Sequence, residues 1–373
     1  MALQSGRKKK IPGWKHLWLL LLFPLGLGLY TLAAAFPDFA EWYALHPYHW
    51  ISRGINWLTG LAPVSVAEIL LYLLVLALLL WLIIGIFRLI KQRGRRLRRL
   101  ARQISFFLCA ASVIYFLFVI LCGINYSRIT FSESSGLPVQ DSSVEELYEL
   151  NVSLAEEVSS LRAQLPEDEN GVMESGFSSS KEKAEQARIS YDTLQPQYPT
   201  LFSGYSSPKP VLASRLMSWC DITGIFIPFT FEANVNVDVP EYSQPATMCH
   251  ELSHLRGYMR EDEANFIAYL ACRNSENTEF RYSGAMLAFL HANNALYSAD
   301  RELGQAVYSS LYEGVQRDFA YNSTYWKQFE GPVSEFSNTV NDSYLKANQQ
   351  EDGVKSYGRM VDLLLADYRK NNK

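Results

Sequence analysis

Acidic residues are almost absent from the first third of this chain of 373 residues. Residues 1–124 hold three acidic side chains against fourteen Lys and Arg, a net charge of +11, whereas the remainder has a net charge of −15. An acidic second part argues against nucleic acid as a partner, because phosphate binding needs clustered Lys and Arg. With 49% apolar residues and so uneven a charge, the chain is neither disordered nor a single soluble globule.

Cysteine is too sparse for a disulfide framework. Of the five cysteines, Cys109 and Cys122 lie in an apolar run and Cys220, Cys249 and Cys272 lie in the acidic part. The latter are an odd number in a region predicted below to face an oxidising compartment, so the sequence does not predict how they pair.

Charge is missing altogether from three long runs. Residues 17–36, 69–87 and 104–124 contain no charged side chain, and at about 1.5 Å per residue each can cross a hydrocarbon core of about 30 Å. Their apolar residues occupy all sides of a helix, which is typical of membrane spans rather than of helices in a soluble core. We therefore predict a membrane anchor of three transmembrane helices over residues 1–126, with the lipid bilayer as a partner.

The basic residues predict the orientation of these spans. Residues 7–10 precede the first span, and residues 91–102 between the second and third spans include seven Lys and Arg and no acid. Because such loops stay in the cytoplasm, we predict a plasma-membrane protein with a cytoplasmic N-terminus and an extracytoplasmic C-terminal part. The small residues 33–35 also resemble a signal-peptidase site, an alternative that leaves that part on the same side.

Aromatic residues mark the loop between the first two spans. These are Trp42, Tyr43, Tyr48, Trp50 and Trp57. Their amphipathic rings suit a short helix that lies in the outer membrane interface.

The rest of the chain predicts a linker and one domain. Residues 127–142 are rich in Ser and contain Gly and Pro, as linkers do, and residues 143–373 would form the extracytoplasmic domain. In most of that domain the apolar residues recur at helical spacing, which predicts helices. Only residues 222–239 are predicted to form strand, and Pro228 within them marks an edge or a bend. The predicted class is three N-terminal transmembrane helices followed by a mostly helical α+β domain with one small sheet.

The strongest chemical signal is the sequence HELSH from His250 to His254. Residues at i and i+4 share one helix face, so both imidazoles could bind one Zn²⁺ while Glu251 reaches its water. Gly257 stands where the motif helix would end, and a strand candidate lies just upstream.

A third ligand must come from the carboxylates that follow, because the domain has one other histidine, His291. A continuous helix would place Glu261 about 16 Å beyond His250 along the axis. We therefore predict that the chain turns at residues 257–260 and returns as a second helix over residues 261–271.

The phase of that second helix distinguishes its carboxylates. Glu261 and Asn265 share one face, so Glu261 can reach the metal and Asn265 can hydrogen-bond a ligand. Glu263 points about 200° away from Glu261 and is the alternative ligand.

Residues 250–271 resemble the gluzincin metallopeptidases, in which HExxH is followed by a helix with the motif ExxA[D/N]. Residues 261–268 are similar to the second helix of the ImmA/IrrE-type and HtpX/CAAX-type peptidases. The resemblance implies a zincin-like domain with Zn²⁺ bound by His250, His254 and Glu261. Two departures are Arg260, which excludes the metzincin pattern because a guanidinium cannot bind zinc, and a spacing of six residues before Glu261, shorter than in most gluzincins.

The whole chain is also similar to an uncharacterised bacterial family of membrane proteins with three N-terminal spans. The shared motifs are GIxxPFTxEANVN, CHExxHxRGxxxEDEANFxAYLxC and SYGRxVDLLL, here residues 224–236, 249–272 and 356–365. This resemblance implies the architecture and a zinc peptidase site, and it implies no substrate.

These features predict a membrane-anchored, extracytoplasmic zinc-dependent metallopeptidase that hydrolyses peptide bonds. Zn²⁺ lowers the pKa of water to about 7 and polarises the scissile carbonyl, while Glu251 acts as the general base. His291, Tyr357 and Arg359 are candidate donors to the oxyanion. The alternatives are a packing role for His291 and an ion pair of Arg359 with Asp362.

Two asparagines are candidate substrate contacts. Asn234 and Asn236 could position a peptide that adds to the edge of the sheet, and turn or capping roles are the alternative. The predicted partner is thus a peptide or protein substrate outside the membrane. The second candidate function is a non-catalytic zinc scaffold that binds a peptide or a cell-envelope component. The presence of Glu251 argues against it, because a site that only binds has no use for a general base. A transporter is disfavoured because the spans contain no ionisable residue.

Overall fold

A computed structural model of the protein describes residues 15–91, 96–348 and 359–371. In these ranges three helices are long and apolar enough to cross a membrane, namely His16–Ala35, Val66–Phe87 and Leu100–Leu121. Each overlaps one of the three predicted runs, which confirms the spans by length and composition. The orientation stays a prediction, because the basic residues 7–10 lie outside the described ranges.

The membrane-side part consists of helices joined by short connections. A 3₁₀ segment, Lys15–Leu21, leads into α1 (Leu22–Ala35), and α2 (Pro37–Tyr43), a π-helical segment (Ala44–Tyr48), α3 (His49–Gly60), α4 (Val66–Lys91) and α5 (Arg96–Leu121) follow. The segment from α2 to α3 is amphipathic, since Trp50 and Trp57 are exposed while Tyr48 is buried. It therefore has one exposed aromatic face and another packed on the protein, a pattern that agrees with the predicted interfacial helix.

The predicted linker is wrong for its first half. Gly123–Ser127 forms a buried 3₁₀ turn, and α6 (Phe131–Ser135) follows it with Phe131 fully buried. Thr130 and Glu133 form a reciprocal capping box, and Gly136 ends α6 at φ 67°. Ser, Thr and Gly here cap a helix, a use that composition alone does not separate from a loop.

The remaining helices confirm the mostly helical prediction. They are α7 (Val144–Arg162), α8 (Ser180–Leu194), α9 (Ser214–Trp219), α10 (Gln244–Leu255), α11 (Glu261–Arg273), α12 (Thr278–Ala299), α13 (Arg301–Ser310), α14 (Glu313–Lys327), α15 (Pro332–Ala347) and α16 (Arg359–Asn371). The start of α7 agrees with the prediction, because Ser143 accepts from the backbone N–H of Glu146 as an N-cap.

The one small sheet has three strands in the order β1-β3-β2. β1 (Lys209–Pro210) pairs parallel with β3 (Glu232–Val235), and β2 (Gly224–Ile227) pairs antiparallel with β3. The predicted strand region is thus a hairpin, and Pro228 lies in its turn. This leaves β2 as an edge strand with one side unpaired.

The membrane-side part and the domain share one hydrophobic core. A single cluster of buried side chains runs from Tyr48 and Tyr126 to the apolar residues of α10, α11 and α12. The contacts across the predicted boundary therefore place α10 directly against the membrane-side helices.

Candidate metal centre

Helix α10, which carries both motif histidines, ends in a left-handed glycine. Gly257 has φ 84°, its N–H donates to the carbonyl of His254, and the N–H of Tyr258 donates to the carbonyl of Ser253. This pattern is a Schellman motif, which needs glycine because a side chain is strained at that φ. It reverses the chain so that α11 begins four residues later, at Glu261, and packs against α10.

The membrane-side part holds the end of α10 in place. The hydroxyl of Tyr48 donates to the carbonyl of His254 (3.2 Å), and the guanidinium of Arg128 donates to the carbonyl of Gly257 (3.3 Å). Arg128 is itself held by a buried ion pair with Glu41 at 2.8 Å. These contacts tie the position of the histidines to the loop between the first two spans.

Three candidate ligands converge at the α10–α11 junction. The carboxylate of Glu261 lies 3.2 Å from Nε2 of His250 and 3.7 Å from Nε2 of His254. The ligand atoms of the three residues all lie within 4.8 Å of one another. Two imidazoles and a carboxylate form the type of donor set that binds zinc at catalytic sites, so the residues fit this metal.

The other ring nitrogens are already occupied. Nδ1 of His250 lies 2.7 Å from the side-chain oxygen of Asn265, and Nδ1 of His254 lies 2.7 Å from the carbonyl of Tyr258. Both acceptors require a proton on Nδ1, which leaves Nε2 as the free ligand atom of each neutral ring.

The charges of Glu261 and His254 suit metal binding, whereas His250 has to give up a proton before it can bind a metal. Burial lowers the pKa of His254 to about 4. At His250 burial acts in the same direction, but the hydrogen bond and charge of Glu261 outweigh it and raise the pKa of His250 to about 9. At Glu261 the two imidazoles outweigh burial and lower the pKa of the carboxyl. An ionised carboxylate and a neutral His254 are the forms in which these residues bind a metal.

Glu251 is a buried carboxylate beside this cluster. Its side chain is 4% exposed, and its Oε2 has no hydrogen-bond partner among the described residues. Burial, partly opposed by the charge of His250, raises the pKa of Glu251 to about 8. Glu251 is thus placed beside the candidate ligands, and once it is ionised its unpartnered oxygen can take a proton.

Gly224 makes room for that carboxylate. A Cβ at Gly224 would lie 2.5 Å from Oε1 of Glu251, a distance that real contacts do not allow. The sequence signal was a glycine at the start of a β-branched and aromatic strand, which often marks the close approach of another group.

A cleft of about 740 Å³ opens over the cluster. It is lined by His250, Glu251, His254 and Glu261, by β2, by α15 and by the end of α5. Side chains from distant parts of the sequence, such as Phe118, Trp326 and Tyr344, therefore face the same space.

Two tyrosines at the cleft were missed in the sequence. The hydroxyl of Tyr126 donates to that of Tyr344 at 3.0 Å, and both side chains line the cleft. Burial raises the pKa of both hydroxyls, and the charge of Glu261 adds to it, so both stay protonated donors at neutral pH. No local motif marks either residue, since they are 218 positions apart.

Several predicted site residues lie elsewhere. His291 is on α12 and Arg359 starts α16, and neither is among the residues that line the cleft. The charge of Arg359 acts on Asp262 and Asp362, in agreement with the ion-pair alternative. Tyr357 lies outside the described residues.

The two predicted substrate asparagines have structural roles. Asn234 and Asn236 lie on or just after the central strand β3 and are 2% and 0% exposed. Asn234 accepts from the hydroxyl of Ser65 (2.6 Å), and Asn236 donates to the carbonyl of Ile222 (2.9 Å). Because both amides are buried and bound to the protein's own groups, the substrate role predicted for them is wrong.

The carboxylate of Glu263 is likewise bound to other groups of the protein. Its carboxylate accepts from the backbone N–H of Phe131 (2.7 Å) and forms an ion pair with Arg260 (2.8 Å). It therefore joins α11 to α6 and does not face the histidines, whereas Glu261 and Asn265 do.

Asn265 provides a test of how the ligands are oriented. We expect Asn265→Ala to weaken metal binding roughly tenfold to a hundredfold, because Nδ1 of His250 loses its acceptor. The measurement is a competition titration of zinc against a chelator. Asn265→Asp keeps an oxygen acceptor and should retain most of the affinity, and equal losses in both variants would contradict this role.

Comparison with known families and structures gives one match. A family model described as protein of unknown function DUF3810 matches residues 43–365. Among curated proteins and solved structures, none matches the chain.

Proposed function

The chain belongs to this family of proteins of unknown function, and we propose that it is a membrane-anchored, zinc-dependent metallopeptidase with a zincin-like domain. The observation that carries the proposal is the convergence of His250, His254 and Glu261 within 4.8 Å, with the carboxylate of Glu251 beside them in a cleft. The function rests on this geometry and on the residue types, since two imidazoles, a carboxylate ligand and a general base are what metal-assisted hydrolysis requires.

The metal would be held by His250, His254 and Glu261. When bound, Zn²⁺ makes water acidic and polarises the substrate carbonyl. The chain's own residues then do the proton chemistry. Glu251 accepts a proton from water and returns it to the leaving amine, a transfer for which its unpartnered Oε2 is available.

The unpaired side of β2 offers a place for the substrate backbone. Within the described part of the chain, β2 pairs with a strand, β3, on one side only, and its residues Gly224, Ile225 and Phe226 line the cleft next to Glu251. An extended peptide can add to such an edge through its main chain, with little dependence on its side chains. This arrangement would bring a scissile bond past the general base.

Tyr344 replaces the donors that the sequence suggested for the oxyanion. Its hydroxyl accepts from Tyr126 and also lies 3.9 Å from Sγ of Cys122, a weak acceptor with which an oxyanion in the cleft would compete for the tyrosine proton. We expect Tyr344→Phe to lower kcat by about 10² to 10³, with zinc content unchanged, because one donor to the developing charge is lost. His291→Gln serves as the matched control and should keep wild-type kcat. A loss of kcat in His291→Gln with wild-type kcat in Tyr344→Phe would mean that His291, and not Tyr344, donates to the oxyanion.

The orientation of the protein is part of the proposal. A phosphatase reporter fused after Lys373 should be active only outside the cytoplasm, and one inserted near Gly94 should be inactive. The reason is that basic residues are concentrated in 7–15 and 91–102. A fluorescent protein that folds only in the cytoplasm should give the opposite pattern at the same two positions. A cytoplasmic C-terminal reporter would overturn the orientation.

A further inference from the structure

Strongly exposed apolar side chains of the domain lie at two places. Among the described residues from 122 to the end, the large apolar side chains that are more than half exposed are Leu212, Leu216, Val333, Phe336 and Val340. A soluble surface rarely groups such side chains without a contact partner. Their locations identify that partner.

The first group lies at the end of the second span. The backbone N–H groups of Leu212 and Ala213 each donate to the carboxylate of Glu68 at 2.9 Å. Glu68 is in the first turn of α4. Leu212, at 78% exposure, therefore projects from the level at which α4 leaves the membrane.

The second group lies on α15, which crosses between the ends of different spans. Near its N-terminus, the ring of Phe329 packs on Trp219 of α9, which follows Leu212 and Ala213 in the chain. At its C-terminus, the carbonyl of Ala347 accepts from Tyr30 of the first span, and Tyr344 packs on Phe118 of the third. The C-terminal end of α15 thus contacts two spans, and its N-terminal end lies against α9, which follows the segment bound to the second span, so α15 lies along the surface at which the spans end.

The faces of α15 agree with this position. Ser337, Asn338 and Asn341 line the cleft. Val333, Phe336 and Val340, spaced as i, i+3 and i+7, form an exposed apolar stripe that meets the cleft at Val340, which also lines it. An apolar stripe along one flank of a surface helix is typical of helices that lie in the membrane interface.

The spans beneath α15 are separated. The first span packs against the third, where Gly26 approaches Tyr115, whereas residues 69–84 of α4 are all exposed. α4 and α5 meet at Trp81 and Phe107, toward the far side of the membrane. The gap between them is therefore open to lipid on the side of the domain, below the cleft that Phe118 of α5 helps to line.

We infer that the apolar rim formed by Leu212, Leu216, Val333, Phe336 and Val340 inserts into the leaflet on the domain side, so that the cleft opens at the membrane surface. It follows that the substrate is a polypeptide held in or at that leaflet, a step that rests on the proposed function. A bilayer fits this rim better than a second copy of the chain, because Leu212 lies beside the first turn of the second span and α15 contacts the first and third spans.

The membrane contact can be measured without any activity. The full chain with Cys220→Ser and Phe336→Cys is labelled with an environment-sensitive fluorophore and placed in phosphatidylglycerol–phosphatidylcholine nanodiscs that contain nitroxide lipids. We expect the label to lose most of its fluorescence to the lipid quencher and little to aqueous iodide. The control is Glu302→Cys on α13, which packs on α7 and α12 and should show the reverse pattern.

Two results would overturn the membrane contact. Equal lipid quenching at positions 336 and 302 would mean that α15 does not reach the bilayer. Protection of position 336 from both quenchers would mean that a protein surface covers the stripe.

The substrate class is tested with one cleavable peptide in two forms. The peptide is presented to the full chain in nanodiscs either free or attached to a lipid. We expect the lipid-attached form to have a kcat/KM at least about tenfold higher, because attachment confines it to the cleft mouth. Phe336→Asp should reduce cleavage of the attached form and spare the free form, whereas Glu335→Gln on the same helix should change neither.

The outcomes separate this inference from the proposed function. Equal cleavage of the two forms would reject the membrane-held substrate and leave the peptidase intact. Cleavage of neither form by wild-type protein would reject the proposed function, and with it the substrate class, while the quenching result would still decide the membrane contact.

Discussion

Glu251→Gln is expected to abolish peptide hydrolysis by several orders of magnitude while the protein keeps its zinc. The three candidate ligands are His250, His254 and Glu261, so the substitution leaves the metal donors in place. Glutamine has nearly the shape of glutamate but cannot accept the proton of water, and general-base catalysis is lost. Zinc content by elemental analysis and turnover of a fluorogenic peptide library are measured on the same preparation.

The control for this variant is Glu313→Gln, whose side chain is 89% exposed on α14. It makes the same chemical change far from the ligands and should retain wild-type turnover. Hydrolysis by the Glu251 variant at the wild-type rate would contradict the mechanism. A wild-type protein that binds one zinc and cleaves no member of the library would favour the non-catalytic scaffold instead.

Glu261→Ala is expected to lose zinc to the same degree as His250→Ala. Its carboxylate is the group that lies 3.2 Å from His250 and 3.7 Å from His254, so removal leaves two protein ligands where catalytic zinc sites use three. Zinc stoichiometry after dialysis against a weak chelator measures the loss.

Glu263→Ala is the matched comparison two residues away. It should keep zinc and instead lower the free energy of unfolding by about 3 kcal/mol, because the partly buried Arg260 loses its ion-pair partner and the buried N–H of Phe131 loses its acceptor. Chemical denaturation of both variants separates the two effects. Zinc loss in the Glu263 variant with zinc retained in the Glu261 variant would exchange the two assignments.

Much of the local structure follows from patterns that short segments contain. Charge-free runs of about twenty residues specify helices that can span a membrane, because an uncompensated charge is costly in hydrocarbon. The spacing of His250 and His254 places both on one helix face, and Gly257 adopts the left-handed conformation that turns the chain. The phase of α11, which puts Glu261 and not Glu263 against the histidines, could also be derived from its sequence.

Other predictions failed because the same residue types serve more than one purpose. Ser, Thr and Gly between residues 127 and 137 suggested a linker, yet they cap α6 against the core. Asn234 and Asn236 suggested a substrate contact, yet β3 is the central strand and buries them. Burial is a property of what packs on a segment, and nothing within the segment states it.

The sequence by itself determined the three helices that are long and apolar enough to span a membrane, the motif helix, the turn after it and the carboxylate that the turn brings back to the histidines. Only the tertiary structure decided that α15 lines the cleft, that the hydroxyls of Tyr126 and Tyr344 hydrogen-bond at 3.0 Å, and that Gly224 leaves space for the side chain of Glu251. The physical reason is the distance along the sequence over which each kind of interaction acts. Helix periodicity and turn chemistry act over a few residues, whereas the cleft is built from side chains as far apart in the sequence as Phe118 and Tyr344, which packing alone brings together.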